Sequence, residues 1–257
     1  RDRSVSRGLG DVYKRQIEGG TTGAKVTLSN VNIDAPGSAV SVSGNVELVI
    51  EGKNILQSGT DHAGVEKADD DGTLTISGPG TLEAYGGNWG AGIGSGSEKG
   101  CSNIVIESGT ITAHGGEWGA GIGSGQGFLY YDDDIEETII DKTVGNVTIE
   151  GNAKIENAKS GYGGSGIGGG AIGIGNVIIR GNAQIGNATG GEEGAGIGGG
   201  ALGTGDVTIE GNVTIENAQG GAGAAGIGGG AETEPDTEDT RNKVSIKSTE
   251  AGSPNIT

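Results

Sequence analysis

The sequence is poor in the residues that most proteins use to fix a fold. It holds one cysteine, four prolines, two histidines, one phenylalanine and no methionine, and aromatic residues make up 3% of its 257 positions. A single thiol excludes an intrachain disulfide and is neutral on compartment. Scarce aromatics and an apolar content of 32% exclude a broad core. Ala, Val and Ile fill only a thin cross-section, so any core must be narrow. No stretch approaches the ~20 apolar residues of a membrane helix. Cations are scarce too: 16 Lys+Arg face 34 Asp+Glu, a formal net charge of −18. Such a surface repels nucleic acid and anionic membranes.

What is abundant is glycine, at 59 residues. Composition alone would read as low complexity, but a fixed period overrides that reading. The phrase G-x-G-I-G recurs around Ile93, Ile122, Ile167, Ile197 and Ile227, at steps of 29, 45, 30 and 30 residues. The long step carries an insertion. A second phrase precedes the later copies: Val147-Thr-Ile149-Glu-Gly-Asn152-Ala-Lys-Ile155-Glu-Asn157-Ala158, with repeats beginning at Val177 and Val207. Leu74-Thr-Ile76 and Ile104-Val-Ile106 fill the same strand in earlier coils, and Val65 stands in for Ile93. Leu48 with Ile50, then Val26 with Leu28, extend the pattern back, and Val244-Ser-Ile246 opens a last coil.

Within a coil the apolar period is two, the mark of strands with one buried face. Val147, Ile149, Ala153 and Ile155 alternate with Thr148, Glu150, Lys154 and Glu156. The chain is therefore predicted to be all-β, a right-handed parallel β-helix of roughly seven to eight coils of about 30 residues, because parallel crossovers are overwhelmingly right-handed. Outward columns support the register. Arg180 separates Glu150 from Glu210, and Gly186 separates Glu156 from Glu216, which avoids like charges on neighbouring strands. Asn152, Asn182, Asn212 and Asn157, Asn187, Asn217 form two more columns that can bond along the stack. The dinucleotide-like Gly164-x-Gly166-x-x-Gly169 lacks a strand–helix unit around it and is structural. The GGxG phrases lack the Asp of a calcium-binding nonapeptide repeat.

The run Gly86-Gly-Asn-Trp-Gly-Ala-Gly-Ile-Gly-Ser-Gly96 and its copies resemble the Gly-rich β-helix repeats of bacterial surface proteins from Firmicutes, over roughly residues 24–247. Some of those are described as carbohydrate-binding. The resemblance implies a cell-surface or secreted solenoid and transfers no functional residue. Residues 1–16 share no period with the rest and resemble translated sequencing-adapter readthrough. They are set apart as a non-native tract, and residues 17–257 are read as a single β-helix domain. The absence of Met and the stop inside a coil lead us to expect a fragment of a longer protein, with fraying or edge pairing at its uncapped ends.

Two constellations stand out. Acidic loops leave the coil between its Gly-rich side and the next strand. Asp69, Asp70 and Asp71, and Asp132, Asp133 and Asp134, are candidate ligands for calcium, a hard ion that prefers oxygen. The bland alternative is a solvated charge run. Beyond Tyr13, all aromatics lie between Tyr85 and Tyr162. Trp89 and Trp118 are one coil apart, as are Tyr85 and His114, and Asn88 and Glu117. Flat rings flanked by directional polar groups suit a sugar face. The candidate carbohydrate-binding residues are Tyr85, Asn88, Trp89, His114, Glu117, Trp118 and Tyr162; the alternative is that the indoles merely cover a loose turn. The expected function is non-catalytic binding of a polysaccharide or glycan outside the cell. The alternatives are a carbohydrate-active enzyme, through Glu107 and Glu150 on one outward column, and a structural stalk or adhesin segment.

Overall fold

The computed structural model describes residues 16–256 apart from 68, 70, 100, 133–136, 232–241 and 249–251. Asp70, Asp133, Asp134 and residues 1–15 lie outside the described residues. Three eight-stranded sheets wrap one core. The glycine sheet runs from Gln16–Glu18 to Ile227–Gly228, the Val–Ile sheet from Ala24–Ser29 to Lys243–Lys247, and the Ile–Ala sheet from Asn32–Asp34 to Asn255–Ile256. Each coil gives one strand to each sheet, and successive coils pair in parallel. This is a parallel β-helix. Its first described strand starts at Gln16, one residue earlier than the boundary read from the sequence.

The period-two pattern explains the core. Val147, Val177 and Val207 stack in register, as do Ile149, Ile179 and Ile209, and all six are buried. Fully burying one such side chain contributes about 1.5–3 kcal/mol. Val65, Ile93, Ile122, Ile167 and Ile197 form one fully buried column of the glycine sheet. Ile227, its last member, is only half-buried. The residue after each isoleucine has to be glycine. Gly168 sits at φ 131°, and a Cβ there would lie 2.1 Å from the carbonyl oxygen of Gly198 in the next coil.

Outward positions are tied along the helix axis. The Arg180 guanidinium reaches Glu150 Oε2 at 2.5–2.6 Å. Asn212 donates to Asn182 and Asn182 to Asn152, each at 3.3 Å, and Asn217 donates to Asn187. A third ladder, unread in the sequence, links Asn176 to Asn146 at 2.9 Å and Asn146 to Asn103 at 3.1 Å. Where Thr110–His114 meets Lys154–Lys159 the register shifts by one residue, so Glu156 belongs to a bulge.

The 45-residue step contains an antiparallel hairpin, Phe128–Asp132 against Glu137–Asp141. It leaves the coil between Ile122–Gly123 and Thr143–Ile149, the edge where the sequence places its insertions. Among the described residues no helix is long and apolar enough to cross a membrane.

Candidate functional site

The strip is built on the corner between the Ile–Ala sheet and the glycine sheet. Here the chain turns through Gly86 and Gly87 with no side chain to spare: a Cβ on Gly87 would meet the carbonyl of Gly59 at 2.0 Å. The side chains that the corner offers next are those of residues 88 and 89 and their equivalents.

One backbone bond fixes which residues those are. Ser97 donates to the carbonyl of Asp61, Gln126 to Trp89, Ala171 to Trp118, Ala201 to Gly163 and Ala231 to Glu193, all at 2.7–2.9 Å. Asp61, Trp89, Trp118, Gly163 and Glu193 therefore form one column. The two indoles are neighbours in it, as their spacing predicts. An acid stands below them, and a glycine and then an acid stand above.

The two indoles differ in their surroundings. Trp118 is half-buried. Its ring meets Tyr162 edge-on, with centroids 4.9 Å apart at 65°. It also covers Gly163, where a Cβ would lie 2.6 Å from Trp118 Cε3. The glycine in the next coil thus makes the seat for the indole below it. Trp89 keeps 37% of its surface exposed and has no ring contact among the described residues. Asn88 and Glu117 are exposed beside the indoles. The Tyr162 hydroxyl lies 3.4 Å from Glu193 Oε1.

Tyr85 and His114 form a separate pillar at the end of the Ile–Ala sheet. They occupy one register position and stack face to face, 5.0 Å apart and 5° from parallel. Burial and the neighbouring Lys159 ammonium push the His114 imidazole below its usual range, against an opposing pull from Glu83. Burial, then the Glu83 charge, push the Tyr85 phenol up. The hydrogen bond from Lys53 holds Glu83 low. Each ring of the pillar covers one face of the other, which leaves fewer faces free for a ligand than the indole column does.

The acidic loops are placed differently from the aromatics. The Asp69 carboxylate is taken up by the buried Lys67 ammonium and by the backbone N–H of Gly44 at 2.9 Å. Lys67 also donates to the Asp69 carbonyl at 2.9 Å. Asp71 is exposed, and Asp132 ends the first strand of the hairpin. Among the described residues no group of three or more His, Cys, Asp or Glu side chains is arranged to hold a metal ion. Glu107 is exposed, and Glu150 of the same column is engaged by Arg180.

Sequence reasoning missed one cluster altogether. Glu66 is 4% exposed, and its Oε2 accepts from Ser38 Oγ at 2.8 Å, from His62 Nδ1 at 2.8 Å and from the N–H of Ala63 at 3.2 Å. The i, i+4 spacing of His62 and Glu66 was a visible but weak signal, because it points to a helix and the chain here is a turn and a strand.

The family model described as a beta helix repeat matches residues 74–97 and 104–126. Comparison with curated proteins and with solved structures gives no match to this chain. The two matched segments are successive coils, and between them they carry Tyr85, Asn88, Trp89, His114, Glu117 and Trp118. What the chain is similar to, over those two coils, is a β-helix repeat.

Proposed function

We propose that this protein is a non-catalytic, extracellular or cell-surface β-helix that binds a polysaccharide through the Trp89–Trp118 column. The observation that carries the reading is the half-open indole pair. Trp89 leaves more than a third of its surface in water at this corner, and among the large apolar side chains that the described residues expose it is the one indole, beside Phe128 on the hairpin and the aliphatic Ile140, Ile178, Val244, Ile246 and Ile256. A flat exposed ring flanked by Asn88 and Glu117 offers an apolar face with hydrogen-bonding groups at its rim, which is what a sugar ring uses. The enzyme alternative has less support, because the Oε2 of Glu150 is committed to Arg180. Screening the chain on a glycan array with and without EDTA tests the proposal. Binding without turnover, weakened in Trp89→Ala, supports it. Silence across the array, or turnover of the bound glycan, overturns it. Binding lost in EDTA would add calcium to the site.

A further inference from the structure

The polar cluster at His62 lies directly below the indole column. The carbonyl of His62 accepts from the N–H of Gly87 at 3.0 Å, and the carbonyl of Gly90 accepts from Gly116 in the same way one coil on. His62 is thus the coil-wise equivalent of Gly90, the residue after Trp89, and it stands one rung below the exposed indole.

The imidazole is held by one of its nitrogens. Nδ1 lies 2.8 Å from the buried Glu66 Oε2 and 3.0 Å from Ser38 Oγ. A carboxylate only accepts, so Nδ1 carries the hydrogen, and in the neutral ring Nε2 is the bare acceptor. The arrangement is not a nucleophile triad, since Ser38 and Glu66 meet the same nitrogen and Ser38 itself donates to Glu66. Nε2 has no hydrogen-bond partner among the described residues, and the one buried side-chain polar atom without a partner there is Ser165 Oγ. Nε2 therefore reaches solvent, and the side chain as a whole is 34% exposed. Beside it is Gly37, where a Cβ would lie 3.9 Å away, so residue 37 puts no side chain over the nitrogen.

A solenoid that buries a carboxylate to aim one imidazole at solvent has set an acceptor in place before any ligand arrives. We propose that His62 is the polar anchor of the glycan strip. Through Nε2 it accepts a hydroxyl of the sugar that precedes the one stacked on Trp89. Glu66, with Ser38, is the positioning group that fixes its tautomer. The inference rests on the glycan reading of the indole column. From His62 to Trp118 the strip covers two coil steps, roughly 10 Å along the axis, so the ligand runs along the solenoid and not around it.

The test uses the full chain, with long-range 1H–15N NMR of its two histidines and titration with cellohexaose, xylohexaose and chitohexaose. The expected spectrum shows His62 in the Nδ1–H tautomer, and Glu66→Gln shifts that tautomer without unfolding the chain. A hexasaccharide that binds should move the Nε2 resonance of His62. His62→Ala should weaken it about tenfold, the loss expected for one well-made hydrogen bond. His62→Gln, whose amide can occupy the place of Nε2, should restore part of the loss. Binding that needs Trp89 but ignores His62→Ala overturns this inference alone. An Nε2–H tautomer in the unliganded chain overturns it as well. Failure of all three sugars to bind sinks the glycan reading for these classes, and the anchor with it.

Discussion

The late coils, residues 143–228, and the two aromatic coils, residues 74–126, share one architecture and differ in what their outward side chains do. In the late coils several outward polar groups bond to each other, although Ile178 is left exposed. Asn bonds to Asn, Arg180 holds Glu150, and the same 30-residue phrase returns with few changes. In the aromatic coils the core is conventional, with Leu82, Ile93, Ile104, Ile111 and Ile122 buried, yet the corner carries groups that the repeat does not use. Trp89 is exposed, Asn88 and Glu117 are free to the solvent side, and the nearby hairpin adds an exposed Phe128. Departure from the repeat, at a corner position that the late coils fill with Gly163 and Glu193, is where this fold has room for recognition.

The largest expected effect tests the late coils. Gly168→Ala places a Cβ against the Gly198 carbonyl at a φ that L residues rarely adopt. Strain and overpacking together should cost roughly 2–6 kcal/mol. Because each coil leans on its neighbours, thermal unfolding followed by circular dichroism should lose its cooperativity and split the late coils from the rest. A single unchanged transition would mean that the coils can spread apart at little cost.

The next effect sets the two indoles against each other. Trp118 packs on Tyr162 and Gly163, so Trp118→Ala should lower stability by about 1–2 kcal/mol. Trp89→Ala should change stability by less than about 0.5 kcal/mol and weaken glycan binding about tenfold. Calorimetric melting and glycan titration of both variants separate packing from recognition. Equal losses of stability would erase the distinction between them. A smaller effect returns to the late coils. Asn182→Ala removes the middle member of an exposed ladder and should cost about 1 kcal/mol, read from the urea midpoint.

How much of this was legible follows from what repeats. Alternation and the 30-residue step were enough for the three-sided coil, the inward columns and the pairing of Arg180 with Glu150. These are properties of period, and period survives in a bare sequence. The column of Trp89 and Trp118 was legible for the same reason. That Trp118 is partly covered was not, because its cover is the missing side chain of Gly163 and an edge contact from Tyr162, a residue at a different coil offset. The Asn103–Asn146–Asn176 ladder was hidden because the hairpin insertion stretches its first step to 43 residues. The His62 cluster was the least readable part. It joins Ser38, His62 and Glu66 from two divergent coils, where no phrase repeats and the turn geometry decides who meets whom.

The smallest expected effect asks whether acid loosens the aromatic coils before the late ones. His114 is pushed below its usual pKa of 6.5, first by burial under Tyr85 and then by Lys159, with Glu83 opposing. The folded chain therefore takes up its proton less readily than the unfolded chain does. The stability linked to this group is fully present above about pH 6.5 and is lost as pH falls through the lower, folded-state value. No comparable histidine exists in the late coils, since the chain has only His62 and His114. Hydrogen exchange between pH 7 and pH 5, corrected for the intrinsic rate, should show protection falling around residues 81–85 and 110–114 while residues 173–189 hold. His114→Gln keeps a polar side chain beside Tyr85 and cannot take up the proton, so the local loss should flatten in that variant. If protection falls equally in both regions, or if the local loss persists unchanged in His114→Gln, the pillar is not the acid-sensitive element, and the difference between the two regions lies in their surfaces alone.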